Sequence, residues 1–251
     1  MRVIILGSGS KGNSTLLIDE NRKILIDVGF SYPKMIKLLD EYQIRPTEID
    51  AILITHTHKD HIGGLSSFVK KNMTKVYTNT EMFNELKKIV NEDNLIVNDD
   101  DYQIDDFEIE IIHTSHDAPG SIGFIIKNKG ISLVYVTDTG YINSTYLKRL
   151  KNKNVYIFES NHDINMLMTG PYPYILKQRV VSDKGHLSNE QSGNYLKELI
   201  GKNTKKIVLA HLSEINNTKD VAIKTVGDIL NTKVPIMAAS QSETLDLGEI
   251  K

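Results

Sequence analysis

Apolar residues in this chain come in short runs, separated by amphipathic stretches and by turns rich in Gly, Asn, Asp and Ser. The runs at 2–6, 14–18, 23–27, 51–54, 75–78, 122–127, 132–137, 155–159 and 207–210 read as strands, and 107–113 alternates with the period of a half-buried one. Helical spacing recurs over 32–42, from about Asp60 to 71, over 80–90, after Ser188 and over 220–230; strands at 234–237 and 244–247 close the pattern. Punctuation supports these limits. Ser31 stands as a helix N-cap with Pro33 in the first turn, and Ser188 with Gln191 forms a capping box. Residues 7–13 form a tight hairpin-like turn, Glu20-Asn21 a second turn, and Asn128-Lys129-Gly130 joins a hairpin. No repeat, low-complexity tract or linker divides the chain. Two similar halves of strands and helices predict one α/β domain over residues 1–251, with two sheets sandwiched between helices.

Composition narrows the class. A chain of 251 residues forms one large domain and buries roughly 75% of its unfolded surface. Hydrophobic content of 40% and charged content of 25% are ordinary for a soluble globular protein. The sequence holds no apolar run near the roughly 18 residues of a bilayer span and opens on no signal peptide, so no membrane role and a cytoplasmic location are expected. With no cysteine, any metal must be held by His, Asp or Glu. A net charge of −2 gives no global attraction to nucleic acid, and the lysine clusters at 148–153 and 202–206 read as solvated faces.

The densest chemistry lies just beyond the 51–54 strand, where His56, His58, Asp60 and His61 fall within six residues. Imidazole and carboxylate are ligands of borderline divalent metals. Strand alternation lets His56 and His58 point one way, while Asp60 and His61 on the following turn face a second point. A polar turn whose histidines cap a helix is the alternative, and four ligand-type residues so close together weigh against it. The Gly-Ser-Gly-Ser-Lys-Gly-Asn turn lacks the endings of a P-loop or a dinucleotide fingerprint. Asp99-Asp100-Asp101 reads as a solvated acidic loop, and Asp27 stands at a strand end.

His-x-His-x-Asp-His after a hydrophobic strand resembles the signature of the metallo-β-lactamase superfamily. That resemblance implies a four-layer αββα sandwich and further ligands downstream. His116 follows the 107–113 strand, Asp138 ends the 132–137 strand and His211 follows the 207–210 run, in the implied order. By resemblance His56, His58 and His116 hold one metal, Asp60, His61 and His211 the other, and Asp138 bridges them. Asp27 orients the ligand loop through hydrogen bonds. Two divalent ions about 3.5–4 Å apart activate a shared water near neutral pH and neutralise charge on the electrophile. Zinc and manganese suit the donors, and iron is not excluded. This chemistry serves phosphodiesters, thioesters, lactones and lactams alike.

A second cluster narrows the substrate. Glu159-Ser160-Asn161-His162-Asp163, Gly185-His186-Leu187-Ser188-Asn189 and Leu209-Ala210-His211-Leu212-Ser213, with the opening Gly-Ser-Gly-Ser-Lys-Gly-Asn-Ser, closely resemble the YycJ (WalJ) group of metallo-β-lactamase-fold hydrolases. The likeness spans residues 3 to about 217 and implies 5′-to-3′ DNA exonuclease activity, a nucleic-acid substrate and links to DNA repair. Ribonuclease Z-like enzymes are similar in carrying a Glu after a strand and a Gly-His-Ser/Thr element, here Glu159 and His186. His186 is then the proton donor to the leaving oxygen, polarised by Glu159, with Asp60 counted beside them in the catalytic set. The alternatives are a helix cap for His186 and a lysine pair for Glu159. Ser188 and Asn189 are candidates to meet a phosphate at a helix N-terminus. His162, expected in a helical segment, either lines the substrate groove or packs. His113, inside the alternating strand, reads as structural or as supporting a ligand. The Pro171-Tyr172-Pro173-Tyr174 turn either stacks on unpaired bases or packs locally. The interval 139–210 is too short for a β-CASP insertion. Other readings are a hydrolase of a small phosphodiester, thioester or lactone, a di-iron redox protein, which His58 disfavours, and an inactive scaffold, against which every ligand is present.

Overall fold

The structure, a computed structural model, describes residues 1–20 and 22–251. Among these, strands β1 (Arg2–Gly7), β2 (Ser14–Ile18), β3 (Lys23–Ile26), β4 (Ala51–Leu53), β5 (Lys75–Thr78), β6 (Leu95–Val97), β7 (Tyr102–Ile104), β8 (Phe107–His113), β9 (Ile122–Asn128), β10 (Ile131–Val136), β11 (Val155–Glu159), β12 (Lys206–Ala210), β13 (Ile236–Ala238) and β14 (Leu245–Glu249) form two seven-stranded sheets. The α-helices are α1 (Tyr32–Asp40), α2 (Lys59–Ile62), α3 (Leu65–Asn72), α4 (Thr80–Leu86), α5 (Ser144–Leu150), α6 (Ile164–Thr169), α7 (Tyr174–Val180), α8 (Asn189–Leu199) and α9 (Lys219–Leu230). The chain packs as two compact units. One comprises Met1–Tyr102, Ala118–Ile122 and Gln241–Lys251, the other Gln103–Asp117 and Gly123–Ser240.

In the first unit the sheet order is β14-β1-β2-β3-β4-β5-β6. Antiparallel pairing runs from β14 to β3, and β3 to β6 are parallel, each step crossing through a helix. The apolar residues of β1 to β4 are buried, from Val3 to Leu53, except Ile18, which is half-buried. The turn over residues 7–13 connects the antiparallel pair β1–β2, so the expected hairpin is present. The second expected turn involves Asn21, which lies outside the described residues.

In the second unit the order is β13-β12-β11-β10-β9-β8-β7. Here β9 and β10 are antiparallel, while β10 to β13 are parallel. The β9–β10 turn places Lys129 at φ 48° and Gly130 at φ 82°, the twin left-handed pair that a two-residue hairpin requires. Leu187, Leu196, Leu199 and Val226, from α8, α9 and the turn before α8, pack with Tyr156, Phe158 and Leu209 in one core. Each such side chain contributes about 1.5–3 kcal/mol when fully buried. The two halves thus share a plan: an antiparallel hairpin, then parallel strands joined by helices. In such sheets ligands gather at the carboxyl ends of the parallel strands.

Several local expectations change. Ser31 stands at the N-cap of α1 without a side-chain cap bond, and the helix ends at Asp40. The helix expected from Asp60 to 71 is two helices, α2 and α3, interrupted at Gly63-Gly64. A Cβ on Gly64 would sit 1.9 Å from the Phe30 carbonyl oxygen, and its amide donates to Val28 O at 2.8 Å, so the break occurs where two main chains touch. The regular part of α4 stops at Leu86, followed by turns to Val90. Asp99 in the exposed acidic loop is engaged, accepting the Thr80 amide at 2.8 Å at the start of α4.

Candidate metal centre and acid–base pair

In the first unit, β3 and β4 end side by side and release two loops. Asp27 follows β3 at φ 61°, a left-handed conformation uncommon outside glycine, and is fully buried. Its carboxylate accepts the Thr55 amide at 2.9 Å, the Thr55 hydroxyl at 2.8 Å and His61 Nδ1 at 2.7 Å. With Nδ1 so engaged, His61 turns its other ring nitrogen, Nε2, away from Asp27. Burial pushes the Asp27 carboxyl up, opposed by the charge and hydrogen bonds of His61 and by Thr55. The His56 ring lies 4.8 Å from that of His58 and 4.0 Å from that of His61. Asp60 Oδ2 is 3.5 Å from His61 Nε2. The four ligand candidates of this unit therefore converge. A Cβ on Gly29 would lie 1.8 Å from the Asp60 carbonyl oxygen, so only glycine lets the 27–30 loop pass against the 58–61 turn.

Asn13, unnoticed as a site residue in the sequence, braces the same turn. Its amide N–H donates to the Asp60 carbonyl at 2.8 Å, and its side-chain nitrogen lies 3.0 Å from His61 Nε2 and 3.3 Å from Asp60 Oδ2. Thr55 was likewise missed. Both act across the fold, so only their adjacency to Ser14 and His56 hinted at them.

We expect Asp27→Asn to keep the fold, since Asn is among the few residues that tolerate this backbone conformation. The variant should bind divalent metal about 10- to 100-fold more weakly, as read by competition with a chelating indicator.

In the second unit the carboxyl ends of β10, β11 and β12 carry Asp138, Glu159 and His211. Asp138 and His211 both take φ 56° and are nearly fully buried. Asp138 Oδ1 stands 3.4 Å from His211 Nε2, 3.7 Å from His186 Nδ1 and 3.9 Å from His116 Nε2. One donor atom each from Asp138, Glu159, His186 and His211 lies within 4.8 Å of the others. Burial pushes the His116 imidazolium down, opposed chiefly by Asp138, so the ring favours the neutral form a metal needs. Asn161, also missed in the sequence, donates to the His211 carbonyl at 2.9 Å and lies 3.3 Å from its Nδ1.

Glu159 and His186 are paired. His186 Nδ1 is 2.7 Å from Glu159 Oε1, and Glu159 Oε2 accepts the Thr139 amide at 2.9 Å and that of Leu187 at 3.3 Å. Although burial opposes ionisation, the charge and hydrogen bond of His186, with that of His211, hold Glu159 down at about 2. The lysine partner considered for Glu159 is replaced by these groups. Ser188, not His186, caps α8, accepting from Gln191 N at 3.1 Å, and Gln191 returns the bond. His186 keeps 21% of its side chain exposed while Glu159 has none, so the pair has one buried and one accessible end.

Four other candidates are placed differently from expectation. Ser188 and Asn189 are buried, and Asn189 is bonded to the Ser160 hydroxyl at 2.6 Å and to Asn217 at 2.9–3.0 Å. Both are thus engaged within the fold at the start of α8. His162 lies ahead of α6 in a strand-like bridge with Ser188, not in a helix, and is buried. His113 is exposed at the end of β8, which removes the structural reading.

Burial lowers the His162 pKa to about 4 from an ordinary 6.5. The unfolded imidazole protonates near 6.5 and the folded one near 4, so the unfolded state binds more protons between those values. Stability accordingly falls as pH drops through that window. Urea unfolding of the metal-free protein at pH 7 and pH 5 should show His162→Gln losing less between the two than wild type, by up to about 2 kcal/mol.

The donors fit divalent metal: imidazole and carboxylate groups, largely buried, at the carboxyl ends of parallel strands. The β-lactamase superfamily domain model matches residues 22–212, and the chain belongs to that superfamily, as a metal-dependent hydrolase of the metallo-β-lactamase fold. Within it, the chain is 34% identical over 234 residues to the exodeoxyribonuclease YycJ of Bacillus anthracis, covering 91% of this chain and 89% of that one. It is 37% identical over 229 residues to the exodeoxyribonuclease WalJ of Streptococcus pneumoniae serotype 2 strain D39, covering 88% and 85%. A solved metallo-β-lactamase fold protein, YhfI from Bacillus subtilis, aligns with a TM-score of 0.76 over 97% of this chain and 98% of that one, at 17% identity. No helix among the described residues is long and apolar enough to cross a membrane.

Proposed function

We propose that this protein is a dinuclear metal-dependent phosphodiesterase acting on nucleic acid, specifically a 5′-to-3′ DNA exonuclease working in the cytoplasm. The observation that carries the phosphodiester reading is the 2.7 Å Glu159–His186 pair, set with one end open beside Asp138. The names of the YycJ and WalJ relatives support DNA as the substrate. His56, His58 and His116 would hold one ion, Asp60, His61 and His211 the other, and Asp138 both, with zinc or manganese as the metals. Ions held there supply Lewis acidity, acidifying water and neutralising phosphate charge.

The chain's own groups do the rest. Glu159, kept ionised, accepts the Nδ1–H of His186 and fixes the ring's orientation. His186 then offers the Nε2 proton to the leaving 3′ oxygen, and the buried carboxylate stabilises the charged ring between turnovers.

End-labelled single- and double-stranded DNA and RNA, incubated with manganese- or zinc-loaded protein, test the assignment. Mononucleotides released in order from DNA 5′ ends support it. Hydrolysis confined to a small chromogenic phosphodiester, with every polymer intact, sinks the nucleic-acid part.

A further inference from the structure

Between the Glu159 strand and the His186 turn the second unit carries a helical hairpin, α6 and α7, whose tip is Pro171-Tyr172-Pro173. The tip faces water with apolar groups. Tyr174 is 74% exposed and Ile175 83%, so of the two readings of this turn local packing does not hold for Tyr174, while Tyr172 is half-buried; Met168 on α6 is also exposed. Burying such side chains stabilises a fold by about 1.5–3 kcal/mol each, so two consecutive ones in water serve no folding purpose.

The hairpin is anchored to the site. Lys177 Nζ donates to Met168 O at 2.6 Å, joining the helices. Arg179 Nε donates to Asp117 Oδ2 at 2.8 Å, beside His116. At the far end of α7 the His186 amide donates to Val180 O at 2.9 Å, and a Cβ on Gly185 would lie 2.2 Å from that oxygen. α7 is therefore a strut running from Tyr174 to the His186 turn. Its seven residues span about 10 Å. Charge favours a polyanion. In a chain of net charge −2, residues 170–186 carry Lys177, Arg179 and Lys184 against Asp183, with Arg179 paired to Asp117.

We propose that the Tyr174–Ile175 tip is a stacking platform for an unpaired base of the substrate strand whose scissile phosphodiester lies at His186. The proposal rests on the nucleic-acid reading above and deepens it: the enzyme grips single-stranded ends. Tyr174 offers a flat ring held by Pro173, and base–aromatic stacking of this kind tolerates any sequence.

The test measures binding of a short fluorescein-labelled oligothymidine with phosphorothioate linkages, single-stranded or annealed to its complement, to metal-loaded protein by anisotropy. Tyr174→Ala should weaken single-strand binding about tenfold and duplex binding less, while Tyr174→Phe stays within about twofold of wild type. The chain has no tryptophan, so its emission comes from its 11 tyrosines. Unlabelled single strand should quench wild type more than Tyr174→Phe at equal saturation, a signature that a merely structural tyrosine would not give. Unchanged affinity in Tyr174→Ala overturns the platform and leaves the nucleic-acid reading standing. No binding of either strand form by wild type removes both. A sedimenting dimer that Tyr174→Ala and Ile175→Ser convert to monomer, with single-strand affinity intact, assigns the face to a second copy and also overturns the proposal.

Discussion

Asp138→Asn is expected to lower phosphodiester hydrolysis by on the order of a thousandfold or more while leaving the thermal midpoint of the metal-free protein near that of wild type. The two halves of this expectation have separate causes. Asp138 Oδ1 lies within 3.4–3.9 Å of nitrogens from His211, His186 and His116, so its charge is at the focus of the second unit's donors. Replacing the carboxylate with a neutral amide removes a ligand and the charge that draws cations there, a loss of several kcal/mol in any reaction that depends on them. The fold should survive because Asp138 occupies φ 56°, where asparagine is tolerated almost as well as aspartate. Asp138→Ala has no such tolerance and should also lose stability. Steady-state rates, with metal content by elemental analysis and calorimetric melting, check all three statements. An Asp138→Asn variant that keeps both metal and rate would remove Asp138 from the site.

The second large effect is selective. His186→Ala should slow release of a nucleotide, whose sugar oxygen is a poor leaving group, by about 10²–10⁴-fold. On bis(p-nitrophenyl) phosphate the loss should be only about tenfold or less, because p-nitrophenolate departs without a proton. Glu159→Gln should follow the same pattern, and the double variant should be little worse than either single one, since the two side chains act as a unit through their 2.7 Å contact. Equal losses on both substrates would mean that His186 binds or positions and does not donate the proton.

What could be read in the sequence follows from the range of the forces involved. β5, β8 and β11 lie where apolar runs and alternation put them, because burial imposes a period within the strand itself. The Ser188/Gln191 capping box is equally local, closed over three residues. The ligand candidates were legible because they sit just after strands or, for Asp60 and His61, in the short helix that follows one, at the sheet end where function concentrates. The three-residue strands β6 and β7 gave no usable period, with Val97 and Gln103 exposed, Leu95, Ile96 and Tyr102 half-buried and Ile104 buried. Asn13, Thr55 and Asn161 stayed hidden for another reason. Their partners are brought together by the fold: Asn13 meets His61 48 residues away, Asp27 meets Thr55 28 away, and Asn161 meets His211 50 away. His162 was misplaced because its spacing to Met166 imitates a helix, whereas a bridge to Ser188 holds it extended.

On the proposed mechanism, two divalent ions held by these histidines and aspartates are required for phosphodiester cleavage. Manganese or zinc is added stepwise to chelator-stripped protein, and bound ion and hydrolysis are followed together. No cleavage is expected without metal, and the rate should rise until two ions are bound per chain. Undiminished cleavage by protein shown to hold no metal would contradict it, as would full activity at one ion per chain.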